Sequence, residues 1–170
     1  MTEARDRTLV IGLGNPLMGD DGIGLAALEQ LVSEWEVAPG VELVDGGTWG
    51  MNLLPLIESA DTVILLDAIH LGRVPGTVIE LEGDAVPRRL AAKLSPHQID
   101  LGEVLALAAL RETLPRRLVA IGIEPGLVEM STALSPAVAA AMPLMLRRVA
   151  DRLEALGCRC SPVIAPGCTS

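Results

Sequence analysis

The 170-residue chain contains no phenylalanine, no tyrosine and only two tryptophans. Any core must therefore be built from aliphatic side chains rather than rings. Histidine is almost as scarce, so the candidate imidazoles are His70 and His97 alone. The three cysteines, Cys158, Cys160 and Cys168, all fall in the last thirteen residues. An odd count excludes a closed disulfide framework, and three thiols fall short of the four ligands of a structural zinc site. They read as reduced thiols on a flexible tail, 158–170, that follows a single domain, 1–157. Positive charge is in deficit: 13 Lys and Arg against 22 Asp and Glu give a net charge of -9. That balance repels a nucleic-acid backbone. The arginine pairs Arg88/Arg89, Arg116/Arg117 and Arg147/Arg148 read as solvated helix faces or ends. Long apolar runs are missing too. The longest uncharged stretch, residues 130–146, is interrupted by Ser131, Thr132, Ser135, Pro136 and Pro143, so no membrane span is expected. A charged N-terminus with only a short apolar run behind it does not match a signal peptide, and the expectation is a cytoplasmic protein.

Several catalytic signatures are also absent. There is no Gly-x-Ser-x-Gly elbow, no His-Glu-x-x-His, and no cysteine inside a patterned segment. Ser95 and Ser135 each precede a proline and read as helix caps, which leaves nucleophilic catalysis without a candidate. After Gly12 and Gly14, position 17 is leucine where a dinucleotide fingerprint needs glycine, and no P-loop lysine follows.

What the chain does contain is alternation. Residues 8–12, 41–45, 62–67, 77–81 and 117–123 are short apolar runs with β-branched residues, each bounded by turn formers or charge. Between them lie segments with apolar residues at helical spacing, such as Ile23, Ala27, Leu28, Leu31 and Val32. The stretch 62–67 is continuously apolar until Asp67, as a strand covered on both faces should be. Strands alternating with helices predict an α/β fold: a three-layer α/β/α sandwich on a mostly parallel twisted sheet of about five strands. Residues 77–81 alternate in the manner of an edge strand, and a long helix is expected from Ser135-Pro136 to about Leu156, kinked at Pro143.

In such sheets, sites gather beyond the carboxyl ends of the strands. Asp20 and Asp21 follow the first strand, Asp45 the second, Asp67 the third, and Glu124 the fifth, while His97 stands where a loop enters a helix. Two carboxylates and an imidazole at one sheet end would make an oxygen-and-nitrogen metal site with open positions. Each residue also has a plainer role. Asp20 or Asp21 can cap the following helix, Asp45 can shape the Gly46-Gly47 turn, and His97 can donate to a carbonyl. His70 sits in a glycine-bearing loop and reads as a surface residue. Asp67 is the hardest to set aside, because a carboxylate ending a buried strand is costly unless paired or metal-bound.

The run from Gly12 to Gly24, with Gly14, Asn15, Pro16, Gly19, Asp20, Asp21 and Gly22, resembles the opening motif of the nickel-iron hydrogenase maturation endopeptidases. Asp45-Gly46-Gly47-Thr48, Asp67-Ala68, Pro75-Gly76-Thr77 and Ser95-Pro96-His97-Gln98 resemble that family's later motifs, in the same order. The resemblance implies an aspartyl-type endopeptidase that removes a C-terminal peptide from the nickel-loaded precursor of a hydrogenase large subunit. It also implies that nickel arrives within the substrate, with no organic cofactor, and that Asp21, Asp67 and His97 contact it. Gly46, Gly47 and Thr48 would then border the substrate cleft. Two other functions share parts of the pattern. A non-cleaving, nickel-dependent chaperone for the same subunit would use the same three residues. A peptidyl-tRNA hydrolase also opens on Gly-Leu-Gly-Asn-Pro, but it requires a histidine and a basic surface where this chain has Asp20, Asp21 and net negative charge.

Overall fold

The computed structural model describes residues 7–90 and 101–164. Its elements, in chain order, are β1 (Thr8–Leu13), α1 (Ile23–Glu34), β2 (Trp35–Val37), β3 (Val41–Gly47), α2 (Leu54–Glu58), β4 (Thr62–Ala68), β5 (Val78–Glu82), α3 (Ala85–Leu90), α4 (Leu101–Leu110), β6 (Arg117–Ile123), α5 (Pro136–Ala155) and β7 (Cys160–Pro162). Five strands form one sheet in the order β3-β1-β4-β6-β5. β3, β1, β4 and β6 are parallel, and β5 runs antiparallel along the β6 edge.

The three central strands explain why the sequence reads as near-continuous apolar runs. Successive side chains point to opposite faces, and here both faces are covered. In β4, Ile64 and Leu66 enter one core while Val63 and Leu65 enter the other. β1 and β6 do the same, with Val10, Val119 and Ile121 on the first side and Leu9, Ile11, Leu118 and Ala120 on the second. α1 and α5 cover the first face through Ile23, Leu31, Met145 and Val149; α2, α3 and α4 cover the second through Leu54, Ile57, Val86 and Leu105. Every residue of β4 is buried. Truncating one of its large side chains, such as Leu65, would cost about 2–5 kcal/mol.

The topology selects one crevice. From β1 the chain passes through α1 to β3 on one side, and from β3 it returns through α2 to β4 on the other side of β1. The direction of travel therefore reverses between β1 and β4, and the carboxyl ends of those two strands form the switch point where α/β sheets hold ligands. Gly24 lets α1 start directly above it. A Cβ there would lie 2.0 Å from the Leu66 carbonyl oxygen and 2.4 Å from that of Leu13.

The five expected strands are present, and β5 lies at the sheet edge. One feature is unexpected: within the segment read as a tail, Cys160–Pro162 pairs antiparallel with Trp35–Val37, and Cys160 is buried. The Ala38 N–H donates to the Arg159 carbonyl at 2.8 Å and the Val163 N–H to the Glu34 carbonyl at 2.7 Å, extending that pairing at both ends. The expected long helix is present as α5, one element from Pro136 to Ala155 with Pro143 inside it and on its exposed side. Ser95, Pro96, His97 and Cys168 lie outside the described residues. Among the described residues, no helix is long and apolar enough to cross a membrane.

Candidate functional site

β1 ends at Leu13 and the chain turns sharply. Gly14 takes a φ of 111°, a conformation that only glycine adopts readily. The turn also needs its missing side chain, because a Cβ at Gly14 would fall 1.9 Å from the Asp21 carbonyl oxygen and 3.7 Å from Asp67 Oδ1. Gly14 is thus the point at which the Asp21 backbone and the Asp67 carboxylate approach one another across the switch point. The Asn15 side chain closes the next turn by accepting the Leu17 N–H at 3.0 Å. A single 3-10 turn, Gly19–Gly22, then carries both acids into α1.

The two neighbouring acids part company. Asp21 is half-buried, and its Oδ2 accepts the Asn15 N–H at 3.0 Å. Asp20 is wholly buried. Its Oδ2 accepts the N–H groups of Gly126 and Leu127, each at 2.8 Å, and the Ser135 hydroxyl at 2.7 Å. Its Oδ1 accepts the Ser135 N–H at 2.7 Å. Burial alone pushes the Asp20 carboxyl up, but the donors from Leu127, Ser135 and Gly126 together outweigh it and hold the group below the usual carboxylate range. Asp20 therefore braces the turn, and it does so by gripping a segment more than a hundred residues away.

Asp67 is the penultimate residue of β4 and is 2% exposed. One of its oxygens, Oδ1, accepts the Ala68 N–H at 2.8 Å. Asp67 ends β4 and Asp21 lies in the turn that follows β1, so the two acids stand on the two chain segments that flank the switch point. Among the described residues no group of three or more His, Cys, Asp or Glu is gathered to hold a metal ion, and a carboxylate here could act as a general base. His97, the expected third member, lies outside the described residues.

Of the other strand-end acids, Glu124 has structural partners and Asp45 is exposed. Asp45 and Thr48 are exposed, Gly46 is buried and Gly47 half-buried. The Gly47 carbonyl accepts the Gly14 N–H at 3.0 Å, so the loop after β3 is joined to the loop after β1. Glu124 is 5% exposed and accepts the N–H groups of Leu71 and Gly72 at 2.8 and 3.2 Å, pinning the loop that follows β4. Ser135 does occupy the N-cap position of α5, but its side chain makes no cap bond and donates to Asp20 instead. His70 is exposed. Apolar side chains stand open around these loops: Leu17, Leu127, Val128 and Met130 on the Asp20 side, Trp49 beside Gly47. The residues missed from sequence are the donors to Asp20 and to Glu124. Most are backbone N–H groups, which leave no mark in a sequence.

Residues 25–152 match the family described as "Hydrogenase maturation protease". The chain is 44% identical over 118 residues to the hydrogenase expression/formation protein HupD of Thiocapsa roseopersicina, covering 69% of this chain and about half, 53%, of that longer relative. It is 35% identical over 157 residues to the hydrogenase 2 maturation protease of Escherichia coli, covering 92% of this chain and 96% of that one. Among solved structures, the hydrogenase maturating endopeptidase HybD from Escherichia coli superposes with a TM-score of 0.87 at 35% identity, covering 92% of this chain and 98% of that one.

Proposed function

The chain belongs to the hydrogenase maturation protease family, and we propose that it is an endopeptidase that removes a short C-terminal peptide from the nickel-loaded precursor of a nickel-iron hydrogenase large subunit. The observation that carries this is that the Asp21 backbone carbonyl and the Asp67 carboxylate both close in on Gly14 at the sheet's switch point. Substrate nickel docks on the two carboxylates and on His97. Binding the metal there holds the scissile bond in place, converting an encounter into a positioned reaction. Water then adds its oxygen to the carbonyl carbon, the C–N bond breaks, and the proton passes to the departing amine. The carbonyl is polarised by nickel or the water is activated by a carboxylate; both routes use the same residues. Gly46, Gly47 and Thr48 border the path of an extended peptide. The bond from the Gly14 N–H to the Gly47 carbonyl supports this by tying their loop to the loop of Asp21. Exposed Leu17, Leu127, Val128, Met130 and Trp49 offer apolar contact to the body of the precursor.

The experiment incubates purified chain with the nickel-loaded precursor and follows the precursor's mass. Loss of a C-terminal peptide with the parent, and none with Asp21→Ala, Asp67→Ala or His97→Ala, supports the proposal. Stable binding without mass loss would favour the chaperone function, and full cleavage by all three variants would overturn the site.

A further inference from the structure

We infer that Asp20 is a positioning residue: its carboxylate clamps the segment from Gly126 to Ser135 onto the turn that carries Asp21 and thereby fixes where the Asp21 carboxylate stands. This rests on the role proposed for Asp21 above. Asp20 is 0% exposed and both of its oxygens are occupied by donors, so it cannot itself meet a substrate. Its effect must pass through the turn.

The surrounding bonds give it that purchase. The Asp20 N–H donates to the Leu127 carbonyl at 2.9 Å, the Gly19 N–H to the Ser131 carbonyl at 2.8 Å, and the Ser131 N–H to the Leu17 carbonyl at 2.9 Å. Met18 and Ser131 form a parallel bridge. One side of the Gly19–Gly22 turn is thus fastened to the 126–135 segment by backbone bonds, with the Asp20 carboxylate at their centre. On the other side, Asp21 Oδ2 takes the Asn15 N–H and the Asp21 carbonyl rests against Gly14. Asp21 is held between these two attachments. Without the Asp20 carboxylate, the N–H groups of Gly126, Leu127 and Ser135 lose their acceptor, and one attachment loosens. A displacement of about 1 Å at a reacting group is enough to cost about a hundredfold in rate. Ser135, which supplies two of the four donors, is part of the same device.

The test compares Asp20→Asn, Ser135→Ala and Leu153→Ala. Leu153 is buried near the far end of α5, and its truncation lowers stability without touching the clamp. Two readouts are taken at a temperature where each variant is folded. In the first, cleavage of nickel-loaded precursor, Asp20→Asn lowers kcat about a hundredfold with KM nearly unchanged. Ser135→Ala gives a smaller fall in kcat, and Leu153→Ala keeps the parent kcat. The second needs no substrate: amide exchange at Asn15, the donor to Asp21, speeds in Asp20→Asn and Ser135→Ala but not in Leu153→Ala. Parent-like kcat in folded Asp20→Asn, or a loss no greater than that of Leu153→Ala, overturns the inference. Should Asp20→Asn fail to fold, unchanged kcat in Ser135→Ala overturns it. Should the parent itself not cleave, the proposed function falls, and Asn15 exchange decides the clamp alone.

Discussion

The two ends of the sheet treat their carboxylates differently. At the carboxyl end, Asp20 accepts four hydrogen bonds and Glu124 two, and both are buried. At the amino end, Asp61 lies beside a cavity of about 280 Å3 that is also lined by Thr8, Thr62, Arg116, Arg117, Leu156 and Cys158. There, Asp61 Oδ2 is buried and has no hydrogen-bond partner among the described residues. The difference follows from the topology. At the carboxyl end the chain leaves parallel strands through tight turns, and the N–H groups of those turns need acceptors. Buried acids meet that need, and in doing so they fix the turn that carries Asp21 and the loop that follows the strand of Asp67. The amino end has this cavity, but among the described residues no pair of carboxylates converges on it. A cavity marks empty volume, whereas the convergence of polar groups marks chemistry.

Substitutions at the two ends should therefore separate, beginning with the largest effect. Asp21→Ala and Asp67→Ala are expected to lower the rate of precursor cleavage by about a hundred- to a thousandfold, measured on variants whose circular dichroism matches the parent. Next, Gly24→Ala should destabilise the fold by about 3 kcal/mol in urea unfolding, because its Cβ would meet the carbonyl oxygens of Leu66 and Leu13. Asp20→Ala should cost about 2–3 kcal/mol by the same assay, since several buried N–H groups lose their acceptor.

Asp20 also gives the contrast a pH signature. Its carboxyl is held below the usual range in the folded protein. Its contribution to stability is therefore complete above the unfolded value of about 3.9 and is lost as pH falls from there through the lower folded value. The parent's urea midpoint should fall more steeply than that of Asp20→Asn below about pH 4, and the two slopes should agree between pH 5 and 7. Smallest of all, Arg116→Ala and Arg117→Ala at the amino end should change stability by no more than about 0.5 kcal/mol and leave cleavage at the parent rate. A marked loss of cleavage there would break the comparison between the two ends.

How much of this was legible in the sequence depends on distance along the chain. β1, β4 and β6 are visible because burial on both faces demands an unbroken apolar run, and in β4 that run stops at Asp67. Gly14 is visible as a turn signal, although the carbonyl contacts that require glycine at 14 and 24 are not. β2 and β7 are not legible: each has three residues, too few to show a period, and they pair across more than a hundred intervening positions. The same limit applies to Asp20. Its sequence neighbours suggest a local cap, while its partners lie at 126, 127 and 135. Ser135-Pro136 correctly marks the start of α5, yet the hydroxyl serves Asp20 rather than the helix. Strand ends alone offer Asp20, Asp21, Asp45, Asp67 and Glu124 together; the choice of Asp21 and Asp67 comes from the family resemblance, and the structure sets the Asp21 carbonyl and the Asp67 carboxylate close to Gly14.

The most direct test of the account is the intact mass of a nickel-loaded hydrogenase large-subunit precursor after incubation with this chain or with its Asp67→Asn variant. The account predicts that the parent removes a C-terminal peptide and that the folded variant leaves the precursor whole. A precursor left intact by the parent, or cut equally well by the variant, would contradict it.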